Sequence, residues 1–329
     1  MARRDLLRDE DEVERHAPLF GAPLRIVDLA REDPAGAAGI VVGLDRDGAL
    51  PPAPEACDLL LTTAAAPPRP WVGLSDLDGA LARLDAAVTR HPLAATALVQ
   101  VLRTGQGLAF EEALVLESAI YSTLLGGEEF RAWRRANPAR ARRPDLSPRV
   151  AFERGDATVV LTLAWPMRRN AFDAAMRDAL VEALRAAAAD PEVTAIILRG
   201  QGPDFSAGGD LDEFGSAPDL AAAHFTRLLR SPARLVRQLA PLVAVRLHGA
   251  VIGAGIEAAA AAGRVVAAPG AWFQLPEVGM GLIPGAGGTA SIPRRIGRRR
   301  AAWMALLGEP LDAVTALDWG LVDALEPAP

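Results

Sequence analysis

The stretch that decides the fold covers residues 245–288 and reads VRLHGAVIGAGIEAAAAAGRVVAAPGAWFQLPEVGMGLIPGAGG. Two glutamates in it, Glu257 and Glu277, each lie beside a glycine-rich turn. Glu257 follows a Gly-Ala-Gly turn, where the strand predicted for Leu242–Leu247 gives way to an alanine-rich helix predicted for Gly253–Ala262. Small residues at such a turn leave backbone N–H groups free to face a negatively charged atom. The stretch therefore places carboxyl groups beside main-chain donors.

A second glycine turn, Phe205–Leu211, reads FSAGGDL and follows the strand predicted for Val193–Leu198. Two turns that each end a strand can each offer one N–H group to the same oxygen. Such an oxyanion hole contributes roughly 3–4 kcal/mol per donor. With two carboxyl groups nearby, it predicts proton transfer next to a carbonyl whose oxygen is held. The alternative is that both glycine turns are only tight connections.

The first 145 residues predict a small α/β unit that becomes helical. Short apolar runs bounded by Pro and Gly predict strands at Leu24–Leu29, Gly39–Leu44 and Asp58–Thr62. The helices predicted after them are Ser75–Arg90, Pro92–Arg103, Ala109–Leu125 and Glu128–Ala136. Ser75 with Asp78 is the predicted N-terminal cap of the first of these helices.

Asn137–Pro148 is rich in proline and arginine and is the predicted linker between an N-terminal domain, 1–145, and a second domain, 146–329. Beyond it, strand and helix patterns alternate, which favours a layered α/β architecture with right-handed crossovers. The main predicted elements there are paired strands at Val150–Glu153 and Thr158–Leu163 and helices at Asp173–Ala189 and Leu220–Leu239.

Composition narrows the class of protein. The 329 residues are 50% hydrophobic and carry a formal net charge of −6, which argues against general binding of nucleic acid. The single Cys57 excludes an intramolecular disulfide framework and is typical of a reducing compartment. The charged N-terminus lacks the apolar run of a secretory signal, and no membrane span is evident. We therefore expect a cytoplasmic protein.

Four segments in order, Asn170–Phe172, Phe205–Leu211, His248–Glu257 and Phe273–Thr289, carry a family resemblance. From about residue 149 to 329 the chain resembles the enoyl-CoA hydratase/isomerase (crotonase) superfamily, whereas the N-terminal half resembles no family that we recognise. The resemblance implies an α/β fold, namely a crotonase-like spiral of β-β-α units, with an additional N-terminal domain that runs from α/β to helical.

The resemblance also implies a catalytic site. Glu257 and Glu277 would hold a water molecule between them, while the backbone N–H groups of Gly209 and Ala254 would hold the thioester carbonyl oxygen. The alternative for each glutamate is a solvated or capping side chain, but Glu257 has only apolar or glycine neighbours for five residues on either side. The positions that the resemblance assigns to coenzyme A binding are Arg168, Arg169, Ala207, Gly208, Asp210, Leu211, Gly253 and Gly285.

Two of those assignments have competing explanations. Arg168 and Arg169 would pair with CoA phosphates, since guanidinium binds phosphate bidentately, or they form a solvated loop pair. Asp210 contacts the ligand or caps a helix.

The sequence contains no Cys/His metal cluster, no P-loop and no GxSxG nucleophile elbow. We therefore expect no metal and no cofactor other than the coenzyme A of the substrate.

The resemblance implies hydration of a 2-enoyl-CoA thioester in fatty acid metabolism. The alternatives are double-bond isomerisation, another crotonase-type reaction such as C–C hydrolysis or cofactor-free dioxygenation, and acyl-CoA binding without catalysis. Members of the family form trimers or hexamers, so a homo-oligomer is expected. Typical members also carry a C-terminal helical part beyond the segment that resembles Leu311–Val322. We expect the N-terminal helices to supply the cover which that part gives.

Overall fold

The computed structural model describes residues 13–19, 21–34, 38–141 and 145–327. Its N-terminal part contains a parallel four-stranded sheet in the order β1-β2-β3-β4. The strands are β1 (Leu24–Asp28), β2 (Ile40–Asp45), β3 (Leu59–Thr62) and β4 (Val72–Gly73). Every residue of β2 and β3 is buried, as continuous apolar runs in parallel sheets usually are.

Four helices follow this sheet: α1 (Leu77–Arg90), α2 (Pro92–Gly105), α3 (Phe110–Leu125) and α4 (Glu128–Ala136). Their order and approximate bounds agree with the predicted helices. The predicted cap of α1 is wrong by one residue, because the Asp76 carboxylate, rather than Ser75, accepts the N–H of Gly79 at 2.9 Å. Ser and Asp are about equally good caps, so the path of the chain, which brings the Asp76 side chain rather than that of Ser75 to this N–H, decides the cap.

The C-terminal part forms a six-stranded sheet, ordered β13-β10-β8-β7-β6-β5, and a three-stranded sheet, ordered β12-β11-β9. In the larger sheet only β5 and β6 pair antiparallel. In chain order the elements are β5 (Val150–Arg154), β6 (Thr158–Leu163), α5 (Ala174–Ala189), β7 (Ala195–Gly200), α6 (Leu220–Leu229), α7 (Pro232–Gln238), β8 (Val243–Leu247), β9 (Ala250–Ile252), α8 (Ala254–Ala259), β10 (Arg264–Ala267), β11 (Trp272–Gln274), α9 (Gly288–Ile296), α10 (Arg298–Leu307), β12 (Leu311–Asp312), α11 (Ala313–Trp319) and β13 (Ala324–Leu325).

Two predicted elements differ from this structure. The helix predicted for Leu220–Leu239 is divided into α6 and α7, because Pro232 cannot continue a helix and Ser231 caps the new one through the N–H of Arg234. The strand predicted for Leu242–Leu247 does not lead straight into the next helix. A tight turn at Gly249 and the short strand β9 come between them, and α8 ends at Ala259.

The N-terminal and C-terminal parts share one hydrophobic core among the described residues. A single cluster of buried side chains extends from Ile40 in β2 to Val322 near the end of the chain. Helix α10 packs against α1, α2 and β3, and α9 packs against α2 and α3. Residues 142–144 of the predicted linker lie outside the described ranges. The division into two domains at 145/146 therefore stays a prediction.

Buried arginines at the start of α10 connect the two parts. The Arg299 guanidinium donates to the carbonyls of Cys57 and Pro54 at 3.0 and 2.6 Å. That of Arg300 donates to the carbonyls of Trp71 and Pro67, both at 3.0 Å. Backbone acceptors in the segments that lead into β3 and β4 are thus satisfied by side chains from the C-terminal part.

Helices long and apolar enough to cross a membrane do not occur in the part of the chain that the structure describes.

Candidate active site

A cavity of about 460 Å³ lies between helices α3 and α6 and the glycine-rich turns of the C-terminal part. Gly209, Ala254, Glu257 and Glu277 all line it, although 68 residues separate the first from the last in sequence. The structure therefore brings all four predicted catalytic residues to one place. Helix α3, from the N-terminal part, forms part of the wall. That the N-terminal helices supply the cover given in typical members by a C-terminal helical part stays a prediction.

Glu257 lies on α8 and is only 2% exposed. Its Oε2 accepts the N–H groups of Ala286 and Gly288 at 2.7 and 2.9 Å. Burial, and after it the neighbouring carboxyl groups of Glu277 and Glu117, hold the pKa of Glu257 well above its ordinary value, against these two N–H donors. A carboxyl group that is protonated at neutral pH can act as a proton donor.

Glu277 begins a short 3-10 helix, Glu277–Met280, and is 7% exposed. Its Oε2 is buried and accepts no hydrogen bond from the described residues. Burial raises the pKa of Glu277 to about 8, while its own backbone N–H lowers it and the charge of Glu117 raises it further. An unpartnered buried oxygen that faces a cavity is typical of a group that meets a ligand or water there.

Gly253 explains how this glutamate approaches α8. The residue has a φ of +45°, and a Cβ atom placed on it would lie 2.5 Å from Oε1 of Glu277. Any side chain here would therefore displace the carboxyl group as well as strain the backbone. Gly253 itself does not line the cavity, and neither does Gly208.

The two turns that carry the predicted oxyanion donors are hydrogen-bonded to each other. Ser206 donates its N–H to the Ala250 carbonyl at 3.1 Å, and Ile252 donates to the Ser206 carbonyl at 3.0 Å. Within the described ranges, neither the N–H of Gly209 nor that of Ala254 donates to a protein acceptor, and both residues face the cavity. Both groups are thus available to a ligand. Four residues, 201–204, separate the end of β7 from the start of the Phe205–Leu211 turn, so this turn does not follow its strand directly.

Glu117, from the middle of α3, is a cavity residue that the sequence analysis missed. It is 2% exposed, and burial raises its pKa to about 7 against the hydrogen bonds from Thr289 and Gly287. A signal was present, because Glu117 lies at helical spacing on the apolar face formed by Leu114, Ser118, Tyr121 and Leu125. An acidic residue on the buried face of a helix needs a polar partner.

Tyr121 lies one helical turn after Glu117 and also lines the cavity. Its ring packs against Gly285, where a Cβ atom would come within 2.3 Å of the ring. Burial and the surrounding carboxyl groups raise the pKa of Tyr121, so the phenol keeps its proton. The place of Gly285 beside Tyr121 gives a packing reason for glycine at this predicted ligand position.

Most of the predicted CoA-binding residues surround a second cavity of about 700 Å³, to which Arg134 and Arg140 also contribute. Arg168 pairs with Asp212 at 3.2 Å, and Arg169 pairs with Asp204 at 2.6 Å. The predicted residues that line it are Arg168, Arg169, Ala207, Asp210 and Leu211. Gly209 and Asp210 line both cavities, so the two are adjacent. The binding roles of these residues stay predictions.

His248 lies just before the tight turn at Gly249, and its ring contacts the backbone. Its Nε2 lies 2.9 Å from the Gly202 carbonyl oxygen. Within the described ranges, no three or more His, Cys, Asp or Glu side chains are grouped so that they could hold a metal ion. The predicted absence of a metal stays a prediction.

The layered sheets, with glycine turns and buried carboxyl groups around one cavity, define a protein of the crotonase fold. Solved structures agree: an enoyl-CoA hydratase from Thermoplasma volcanium GSS1 has a TM-score of 0.51 and 32% identity, covering 55% of this chain and 72% of that one. The family model for enoyl-CoA hydratase/isomerase matches residues 153–329. The chain belongs to the enoyl-CoA hydratase/isomerase family and is an enzyme of that family.

Relatives with different reactions are similarly close. The chain is 38% identical over 179 residues to a 2,3-dehydroadipyl-CoA hydratase of Escherichia coli (strain K12), covering 54% of this chain and 69% of the relative. It is 39% identical over 172 residues to a 1,2-epoxyphenylacetyl-CoA isomerase of the same organism, covering 50% and 64%. The chain thus spans about two thirds of these relatives' lengths, and sequence identity does not separate hydratase from isomerase.

Proposed function

We propose that the chain binds an acyl-CoA thioester and adds water across the double bond of a 2-enoyl-CoA. The observation that carries this proposal is the meeting of two buried carboxyl groups, Glu257 and Glu277, with two backbone N–H groups, those of Gly209 and Ala254, that donate to no acceptor among the described residues, in one cavity. Acid–base groups beside an oxyanion site are what the reaction requires, because charge moves onto the thioester oxygen while protons are exchanged.

In the proposed reaction, the N–H groups of Gly209 and Ala254 donate to the thioester carbonyl oxygen. One carboxylate of the pair Glu257/Glu277 takes a proton from water as the hydroxide adds to the β-carbon. The double-bond electrons move toward the thioester, whose oxygen becomes an enolate oxygen. The protonated partner then gives its proton to the α-carbon, and the C=C bond becomes a C–C single bond. The two carboxyl groups titrate as a coupled pair, so the acid and base are not assigned separately.

The second cavity is the proposed site of the CoA nucleotide. Arg168 and Arg169 supply guanidinium groups there, and phosphate oxygens would compete with Asp212 and Asp204 for them. Because Gly209 and Asp210 border both cavities, a pantetheine arm can run from one to the other past the oxyanion donors. The thioester would then lie between Gly209 and Ala254.

The second candidate function is isomerisation of an acyl-CoA. It is favoured by the 39% identity to an enzyme named 1,2-epoxyphenylacetyl-CoA isomerase. For isomerisation of a double bond, the same donors and carboxyl groups would serve, since a proton can move from one carbon to another through an enolate without added water. The two candidates differ in whether the product is heavier by one water.

Mass spectrometry of purified protein with a panel of acyl-CoA thioesters tests both candidates. We expect one product heavier by one water, with Glu257→Gln and Glu277→Gln each reducing kcat/KM by roughly 10²–10⁴-fold, because an acid–base group is lost. The exposed Glu153→Gln is the matched control and should keep full activity. A product of unchanged mass favours the isomerase, and tight binding without turnover contradicts both.

Four further expectations belong to this proposal. They are coenzyme A of the substrate as the only cofactor, a role in fatty acid metabolism, a cytoplasmic location and a homo-oligomer of three or six chains. Light scattering of the purified protein measures the last of these directly.

A further inference from the structure

Successive backbone N–H groups of residues 286–289 alternate between two carboxyl groups. Those of Ala286 and Gly288 donate to Glu257, while those of Gly287 and Thr289 donate to Glu117 at 2.7 and 2.8 Å. One turn of backbone, at the start of α9, therefore positions a carboxyl group from each half of the chain. The two carboxyl groups are thus hydrogen-bonded to adjacent residues of one turn.

The three buried carboxyl groups are not equally supplied with donors. Glu117 accepts three hydrogen bonds, the third from the Thr289 hydroxyl at 2.7 Å. Glu257 accepts two, both at Oε2. Glu277 has a buried Oε2 with no partner among the described residues. Hydrogen bonds to a carboxylate stabilise its charged form, so the negative charge is held best at Glu117.

We propose that Glu117 is a positioning residue: held by three hydrogen-bond donors, it carries a negative charge beside the cavity and so makes the pair Glu257/Glu277 retain one proton between them. The inference rests on the proposed function, because it concerns the protonation of the proposed acid–base pair. Like charges in a cavity shielded from water raise one another's free energy, so the first carboxyl group to ionise delays the others. Glu117 thereby sets the pH range in which the pair holds the single proton that hydration needs.

The charged and titratable groups around Glu117 agree with this assignment. From α6, Arg227 lowers the pKa of Glu117, and it donates from Nε to Ser118 Oγ at 3.1 Å. His224 Nδ1 lies 2.9 Å from the same hydroxyl. Tyr121 adds a phenol on the same helix, and Glu257 and Glu277 face Glu117 across the cavity. Arg227, the cation of this set that acts on Glu117, stabilises its ionised form.

The pH profile of kcat/KM for wild type and Glu117→Gln tests the inference in the active enzyme. Removing the negative charge of Glu117 should move both the acidic and the alkaline limb of the pH profile to lower pH, by about one unit. If Glu117 only docks α3, the variant will lose activity or stability while both limbs stay where they are. That result would overturn the proposal.

Titration of the resting protein, labelled with ¹³C at the glutamate carboxyl carbon and observed by NMR, separates this inference from the proposed function. The three signals are assigned by Glu→Gln variants at 117, 257 and 277. We expect Glu117 to ionise first and Glu117→Gln to lower the apparent pKa values of the other two groups. Because no substrate is present, this outcome stands even if the chain proves inactive as a hydratase. Ionisation of Glu117 last would refute the inference.

A milder pair of variants covers the case in which Glu117→Gln does not fold. Thr289→Val keeps the shape and the backbone N–H but removes one donor, so the pKa of Glu117 should rise. Ser291→Ala is the matched control, since that hydroxyl donates to the backbone carbonyl of Glu257 at 2.7 Å and to no carboxyl group. An unchanged Glu117 titration in Thr289→Val, or an equal shift in both variants, contradicts the proposal.

Discussion

Glu277 holds its proton because folding removes its carboxyl group from water and gives Oε2 no partner among the described residues. A carboxyl group whose pKa rises on folding binds more protons in the folded state than in the unfolded state. Its contribution to the free energy of unfolding is therefore complete below the unfolded pKa and is lost as pH rises to the folded value. For Glu277 this window extends from about 4.5 to about 8.

Glu277→Gln should flatten this pH dependence, because glutamine resembles the protonated acid at every pH. Urea unfolding of wild type and variant at pH 5 and pH 8 measures the effect. We expect the wild type to lose stability relative to the variant as pH rises. If wild type and variant change in stability by the same amount between pH 5 and pH 8, Glu277 ionises normally in the folded protein.

The residues found from sequence were those whose signal is local. Glu257 and Glu277 stand beside glycine turns within one stretch of chain, and that pattern placed both in the cavity. Glu117 could not be paired with its partners in this way, since 170 residues separate it from Gly287. The helical pattern around Glu117 shows a buried face, but it does not say which backbone will meet that face.

Helix starts depend on competition between neighbouring side chains, which explains the error at α1. Ser75 and Asp76 are both good capping residues, and only the path of the chain decides which one reaches the N–H of Gly79. The division between α6 and α7 was signalled by Ser231-Pro232 within the apolar pattern. The short strand β9 was not, because three residues between two tight turns carry no period.

Asp76→Ala should lower the free energy of unfolding by about 1 kcal/mol, since the first turn of α1 loses its acceptor. Ser75→Ala removes the cap that the sequence predicted and is the control. It should change the free energy of unfolding by less than about 0.5 kcal/mol. Chemical denaturation of both variants gives the comparison. A larger loss for Ser75→Ala would reverse the assignment of the cap.

Across the whole molecule, the alternation of strands and helices followed from patterns of apolar residues and turns, whereas the three-stranded sheet did not. The joint between the two parts did not, because it depends on side chains reaching backbone carbonyls far away in sequence. Arg300 illustrates this, since its acceptors lie on Pro67 and Trp71. An arginine triplet in sequence predicts a solvated surface, yet Arg299 and Arg300 are buried here.

Arg300→Met should cost about 2–4 kcal/mol of the free energy of unfolding, because two buried carbonyls lose their donors. The control is Arg83→Met, which removes an exposed ion pair with Glu309 that also joins the two parts. That change should cost less than about 1 kcal/mol. If thermal or chemical unfolding shows equal losses of stability for the two variants, the buried guanidinium of Arg300 contributes no more than an exposed ion pair to the contact between the two parts.

The arginine joint also bears on how the chain matures during translation. Trp71 is added to the chain 229 residues before Arg300, its donor. At 5–20 residues per second this interval is about 10–45 s. Throughout it, the segments before β3 and β4 carry carbonyls whose arginine donors do not yet exist. Until α10 has been synthesised, those carbonyls can hydrogen-bond to water instead.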